Sequence, residues 1–171
     1  MLELTTLLTP ILDQLMNKVI TLISGKIKIA LEIKDFSFGQ MTTAYEENGF
    51  YNSLLVLLEV TNNSEKPYHI SSFSMKFGDS EFVNLFILES ERKMMDGNLI
   101  DIETGDKSQA MYKVKTDISV PLWRPYLQTN QSELGLVVFK FPLDLSFSNN
   151  STFFITAKIA GYDKIISDKI N

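Results

Sequence analysis

Cysteine is absent from this chain of 171 residues, and histidine occurs once. The first absence removes disulfide frameworks, zinc–cysteine sites, iron–sulfur clusters and thiol catalysis together. The second removes any centre that needs two histidines, as zinc and non-haem iron sites do. Long apolar runs are missing as well, so no stretch of about 20 residues is fit to span a bilayer as a helix. Positive charge is in deficit. Lys+Arg 16 against Asp+Glu 21 give a net charge of −5 and a pI near 4.9, which is the wrong sign for a phosphate backbone. The eight glycines are scattered singly, so no glycine-rich loop can aim its amides at a phosphate. Neither a nucleic-acid partner nor a cofactor is expected.

What remains is ordinary globular material, 44% apolar and 22% charged. A chain of this size buries roughly 68–70% of its unfolded surface and needs no staple. The pattern divides it into residues 1–25, an N-terminal amphipathic helix, and residues 26–171, a β-domain. Thr9 suits the N-cap, Pro10 the first helical position and Gly25 the stop. Between them Ile11, Leu12, Leu15, Met16, Val19, Ile20, Leu22 and Ile23 lie opposite Asp13, Gln14, Asn17, Lys18 and Thr21, the stripe of a half-buried helix. Either the stripe packs on the β-domain, or Ile11, Leu12, Leu15, Val19 and Leu22 mediate assembly with a second copy or another protein. Lys18 alone gives it little pull towards an anionic membrane surface. Glu3 is the first charge, and Asp13 breaks the apolar run, so residues 1–25 do not read as a secretory signal. The expected setting is cytoplasmic, and extracellular only if a leader precedes the sequence.

From Gly25 the period changes to two. Ile27, Ile29, Leu31 and Ile33 alternate with charged residues, and Phe36 and Phe38 have the opposite parity, which predicts a strand with a bulge near Asp35. Residues 39–50 read as loop. Leu54 to Val60 is nearly continuous in apolar residues, as for a central strand covered on both faces, and Thr61 to Pro67 is a turn by composition. Strands are expected at Phe73, Met75 and Phe77, then over 82–89, 98–102, 109–119, 134–142 and 151–160. Phe153, Ile155, Ala157 and Ile159 alternate in the last of these, and a short piece follows Gly161. Seven to nine short strands without helices between them imply a mainly β, antiparallel sandwich.

The segment Val56-Leu57-Leu58-Glu59-Val60-Thr61-Asn62-Asn63-Ser64-Glu65-Lys66-Pro67 resembles a strand and turn of bacterial immunoglobulin-like β-sandwich domains. Thr104-Gly105-Asp106-Lys107 before a strand and Phe139-Lys140-Phe141-Pro142 ending one follow in the same order. The resemblance covers about residues 27–160. It implies an immunoglobulin-like sandwich of the kind found in lipoproteins and surface proteins, many of unassigned function, with no shared catalytic residues. This chain departs from them in its leading helix and in lacking a lipid-attachment cysteine.

Chemistry is sparse. His69 lies near Ser71 and Ser72, yet no glycine flanks those serines as a nucleophile elbow requires. Asp96, Asn98 and Asp101 are the oxygen donors a Ca²⁺ ion would use. Their spacing is not that of an EF-hand, and Ile100 and Ile102 alternate with Asp101 and Glu103 as in a hairpin with an acidic face. No metal is therefore expected. Glu89 and Glu91, two apart, could share a strand face, but nothing in the sequence supplies the cleft a glycosidase needs. The segment Val120 to Gln131 holds two prolines and the only tryptophan. Trp123, Arg124 and Tyr126 are the residue types that dominate interface hot spots. The expectation is a non-enzymatic protein-binding or structural module that recognises a partner, or itself, through these three residues. The alternatives are a carbohydrate-binding module with Trp123 and Tyr126 as platform, and a small acidic inhibitor steered to a basic protein surface.

Overall fold

Alternation governs the first strand of the protein, and its absence governs the second. The computed structural model describes residues 27–43, 49–93, 99–115, 120–145, 153–161 and 165–170. The helix expected over 1–25 lies outside them, as do Asp96 and Asn98. Strand β1 (Ile29–Thr43) pairs antiparallel with β2 (Phe50–Asn62), and their register shifts between Ile33 and Asp35. The bulge read from the reversed parity of Phe36 and Phe38 is therefore present.

The remaining strands are β3 (Tyr68–Phe77), β4 (Ser80–Val83), β5 (Ile87–Lys93), β6 (Leu99–Thr104), β7 (Ser108–Lys113), β8 (Tyr126–Leu127), β9 (Ser132–Phe141), β10 (Phe153–Ile159) and β11 (Ile165–Ile170). They form two antiparallel sheets. One has six strands in the order β5-β6-β7-β1-β2-β9; the other runs β11-β10-β3-β4, with β8 also paired to β3. The protein is thus mainly β, with no helix among the described residues. Eleven strands lie among the described residues, against the expected seven to nine.

Three of the differences have clear causes. Residues 39–50 are not all loop, because Met41 finds a fully buried place and draws β1 on to Thr43, where Thr42 pairs with Phe50. The strand expected over 82–89 is two strands in different sheets. At the crossing Asn84 imitates a strand partner: its amide donates to Phe73 O, and its Oδ1 accepts from Phe73 N at 2.9 Å. The strand begun at 109 ends at Lys113, where its pairing with Leu99 of β6 runs out; it has already parted from β1 after Ala110.

The two faces of β2 and β9 go to different cores. Leu54, Val56, Leu58, Val137, Phe139 and Phe141 meet Ile70, Phe73 and Met75 of β3 and the alternating Phe153, Ile155, Ala157 and Ile159 of β10. This is the core between the sheets. On the other face Leu55, Leu57, Leu136 and Val138 meet Ile87, Ile100, Ile102, Ala110 and Tyr112. The six-stranded sheet reaches that second core by curling on itself. Leu85, just before β5, bridges to Val138 on the far edge strand. Each such buried aliphatic or aromatic side chain contributes about 1.5–3 kcal/mol, which is why two strands with apolar residues on both faces organise the whole domain.

The outer edge of β9 is covered by a second segment as well. Leu122 N donates to Leu136 O and Leu136 N to Val120 O, both at 2.8 Å. Gly135 makes this crossing possible, since a Cβ there would lie 2.8 Å from Val120 O and 2.9 Å from Leu122 Cβ. Gly135→Ala is accordingly expected to cost about 1–3 kcal/mol in urea unfolding. An unchanged midpoint would show that the crossing segment yields freely.

Candidate functional site

The segment after Val120 is built from the inside outward. Leu122 and Leu127 drop into the inter-sheet core, and Pro125 is buried between them. Ile70 N donates to Pro125 O at 2.9 Å, and β8 then pairs Tyr126 with His69 and Leu127 with Tyr68. With both ends held, Arg124 is fixed at φ 46°, the left-handed region that costs a non-glycine residue of order 1 kcal/mol.

This anchoring turns Trp123 and Arg124 outward. The indole is 38% exposed and belongs to neither core. Its ring meets the exposed Phe86 edge-on at 5.0 Å and 62°, and the Arg124 guanidinium lies 5.0 Å from its centroid. The two contacts hold a polar cation and two aromatic rings in one surface patch. Tyr126 is 54% exposed, but it is on β8 beside His69 and not in ring contact with Trp123. The three residues picked from the sequence are all at the surface, then, and the structure joins only two of them. Phe86 is the member that the sequence did not disclose, since it precedes β5 far along the chain. Arg124 lies over the indole, so the free aromatic face wanted by a sugar platform is occupied on that side.

Asn62 ties this loop to the turn after β2. Fully buried, it shares its Nδ2 hydrogens among Lys66 O at 2.8 Å, Gln128 O at 3.1 Å and Leu127 O at 3.2 Å. Its Oδ1 accepts from Ser64 N, its amide donates to Gln131 O, and its carbonyl accepts from Asn130 N. Every polar atom of a buried asparagine is thus satisfied. The run Thr61-Asn62-Asn63-Ser64 was readable as a turn, but nothing local in it announces a partner more than sixty residues away.

A second polar group occupies one end of the curled sheet. The register sets Gly39, Ser53 and Lys140 side by side on β1, β2 and β9. Tyr112 leans over Gly39, where an added Cβ would come within 2.9 Å of its ring. Lys140 Nζ pairs with Asp106, donates to Ser108 Oγ at 3.3 Å and lies 4.7 Å from the centroid of the Tyr51 ring. Burial alone would raise the Asp106 carboxyl. Hydrogen bonds from Lys140, Thr104, the Ser108 side chain and the Ser108 amide outweigh it and hold the pKa at about 2. The ammonium donates to Ser108, the reverse of what a lysine base would do to a serine nucleophile. The Ser53 and Tyr112 hydroxyls are buried beside this cluster and interact at most weakly with each other, without full hydrogen-bond geometry. Burial pushes the Tyr112 phenol well above its ordinary range, with Ser53 opposing.

The other candidates are dispersed. His69 is exposed, and Ser71 Oγ donates to Lys158 O, not to the imidazole. Asp101 is half-buried on β6, between the buried Ile100 and Ile102. No group of three or more His, Asp or Glu able to hold a metal ion occurs among the described residues. No helix among them is long and apolar enough to cross a membrane.

Two measurements check the polar cluster. Asp106 is depressed from 3.8 to about 2 on folding, so its stabilisation is complete above about pH 4 and disappears as the pH falls through 2. The melting temperature of the wild type should fall over that window, and Asp106→Asn should flatten the fall; parallel curves would refute the pairing. Tyr112→Phe removes a buried hydroxyl that has only a weak contact with Ser53 and is expected to raise the unfolding free energy by about 1 kcal/mol. A loss would mean that the hydroxyl is satisfied in solution.

The chain matches no protein-family model, no curated protein and no solved structure.

Proposed function

We propose that the protein is a non-enzymatic binding module, an immunoglobulin-like sandwich that recognises a protein partner through Trp123 and Arg124, with Tyr126 at the margin of the contact. One observation carries this reading: the exposed Phe86–Trp123–Arg124 patch, on a loop pinned by the buried Leu122, Pro125 and Leu127. Binding normally pays to immobilise contact side chains, and here the two rings and the guanidinium already hold one another in place. Tryptophan and arginine are also the residue types whose truncation costs most at interfaces. Antiparallel sheets supply a rigid frame for such a loop. The resemblance of residues 27–160 to bacterial immunoglobulin-like domains, which share no catalytic residues, supports a binding role over an enzymatic one.

The test pairs affinity with stability. A partner isolated with the wild-type protein is expected to bind Trp123→Ala about 30-fold more weakly, the equivalent of about 2 kcal/mol. Because the indole lies outside both cores, the melting temperature should change by less than about 4 °C. Collapse of the melting transition would make Trp123 a packing residue and defeat the assignment. Equal affinity of the variant would place recognition elsewhere.

A further inference from the structure

Two cationic residues at the recognition patch hold backbone conformations that glycine would adopt more easily. Among the described residues, those other than glycine with φ in the left-handed region are Lys107 at 56°, Arg124 at 46° and Asn130 at 58°. Asparagine visits that region readily, whereas long cationic side chains do so rarely. Lys107 is the last residue of the short turn between β6 and β7, closed by Lys107 N donating to Thr104 O at 2.8 Å. Glycine is the usual occupant of that position. Arg124 precedes Pro125, and a residue before proline favours an extended backbone. Residues held against preference in this way cluster at sites that grip a ligand.

Both turns meet at Phe86. Its ring touches Trp123, over which the Arg124 guanidinium lies. Its carbonyl accepts from Gly105 N at 2.8 Å, and a Cβ added to Gly105 would lie 3.4 Å from its ring. The turn that carries Lys107 therefore abuts the same ring. Lys107 and Arg124 are exposed, and neither makes an ion pair among the described residues. Asp106, the acid next to Lys107, is taken by Lys140. A guanidinium lying on a ring keeps its edge N–H groups for a carboxylate, which it can bind through two hydrogen bonds. We infer that the partner presents an acidic segment here, with one carboxylate on Arg124, a second acid towards Lys107, and an apolar side chain on Phe86 and Trp123. A phosphate would use the cations alone; the two exposed rings beside them favour a peptide whose acids flank an apolar residue. The inference rests on Trp123 as the point of recognition and adds the charge of what is recognised.

The test uses the full-length protein and a library of random peptides displayed on phage. Phage that bind Trp123→Ala are removed first, and the remainder are selected on the wild type. Retained sequences are expected to place Asp or Glu within a few residues of Trp, Phe or Leu. A synthetic peptide of the commonest sequence should bind Arg124→Gly about tenfold more weakly than the wild type, and Lys107→Gly several-fold more weakly. Changing its acids to Asn and Gln should abolish both differences. Because glycine relieves a left-handed backbone, the two variants should melt at or above the wild-type temperature. Lower melting of both would make the cations structural and overturn the inference. Basic or uncharged retained sequences, or equal binding to Arg124→Gly, would overturn it while leaving Trp123 as the contact. It falls too if no phage survive the Trp123→Ala step. Only equal affinity of the isolated partner for Trp123→Ala defeats recognition by the patch itself.

Discussion

Two strands of this domain have no outside. Strands β2 and β9 lie next to each other with apolar side chains pointing both ways, and each face requires its own cover. A second sheet covers one face. The other is covered by the same sheet after it has curled until Leu85 reaches Val138. The crossing at Asn84, the curl of β5 to β7 and the placing of Val120 to Leu122 over the β9 edge all follow from that requirement. Exposing either face would leave several large aliphatic side chains in water, at a cost comparable to the net stability of a whole domain.

The surface patch inherits its rigidity from this arrangement. Trp123 and Arg124 sit between Leu122, committed to the inter-sheet core, and β8, committed to β3. Asn62 closes the circuit by joining the end of β2 to the loop beyond Leu127. A buried amide with every hydrogen bond made is worth little on balance but costs much if one partner is lost. The patch geometry is therefore coupled to a residue at the end of a central strand, well away from its own surface. The polar group around Lys140 follows a different logic. It fills the end of the curled sheet, where Gly39 leaves room for a tyrosine ring in place of a side chain of its own.

Much of the fold was legible because period-two patterning is a direct image of burial. The alternation in β10, the bulge after Ile33 and the two-sided burial of β2 could all be read from the order of apolar residues, since each depends on neighbours in sequence. The curl could not. Ile87, Ile100, Ile102 and Tyr112 look like the inner face of any half-buried strand, and nothing in them says that their core is the far side of β2. The break at Asn84 was hidden for a similar reason: an asparagine that completes a ladder with Phe73 has no signature separate from a turn asparagine. The recognition patch was half legible. Composition singled out Trp123 and Arg124, but Phe86 joins them only through the three-dimensional path of the chain, and Tyr126 stands apart on β8.

The distance along the chain between β2 and β9 also bears on how the protein is made. As the polypeptide leaves the ribosome, the β1–β2 hairpin emerges early, with its apolar run from Leu54 to Leu58 unpartnered on one edge and open on both faces. Leu58 cannot meet Gly135, nor Leu54 meet Phe139, until most of the remaining strands have been synthesised. Contacts so remote in sequence form slowly, and an incomplete sheet with an apolar edge is the kind of intermediate that associates with others of its sort. The middle of the chain, from β3 to β7, is thus not merely a cover for the finished core. It is also what is available to shield β2 during the interval before β9 arrives.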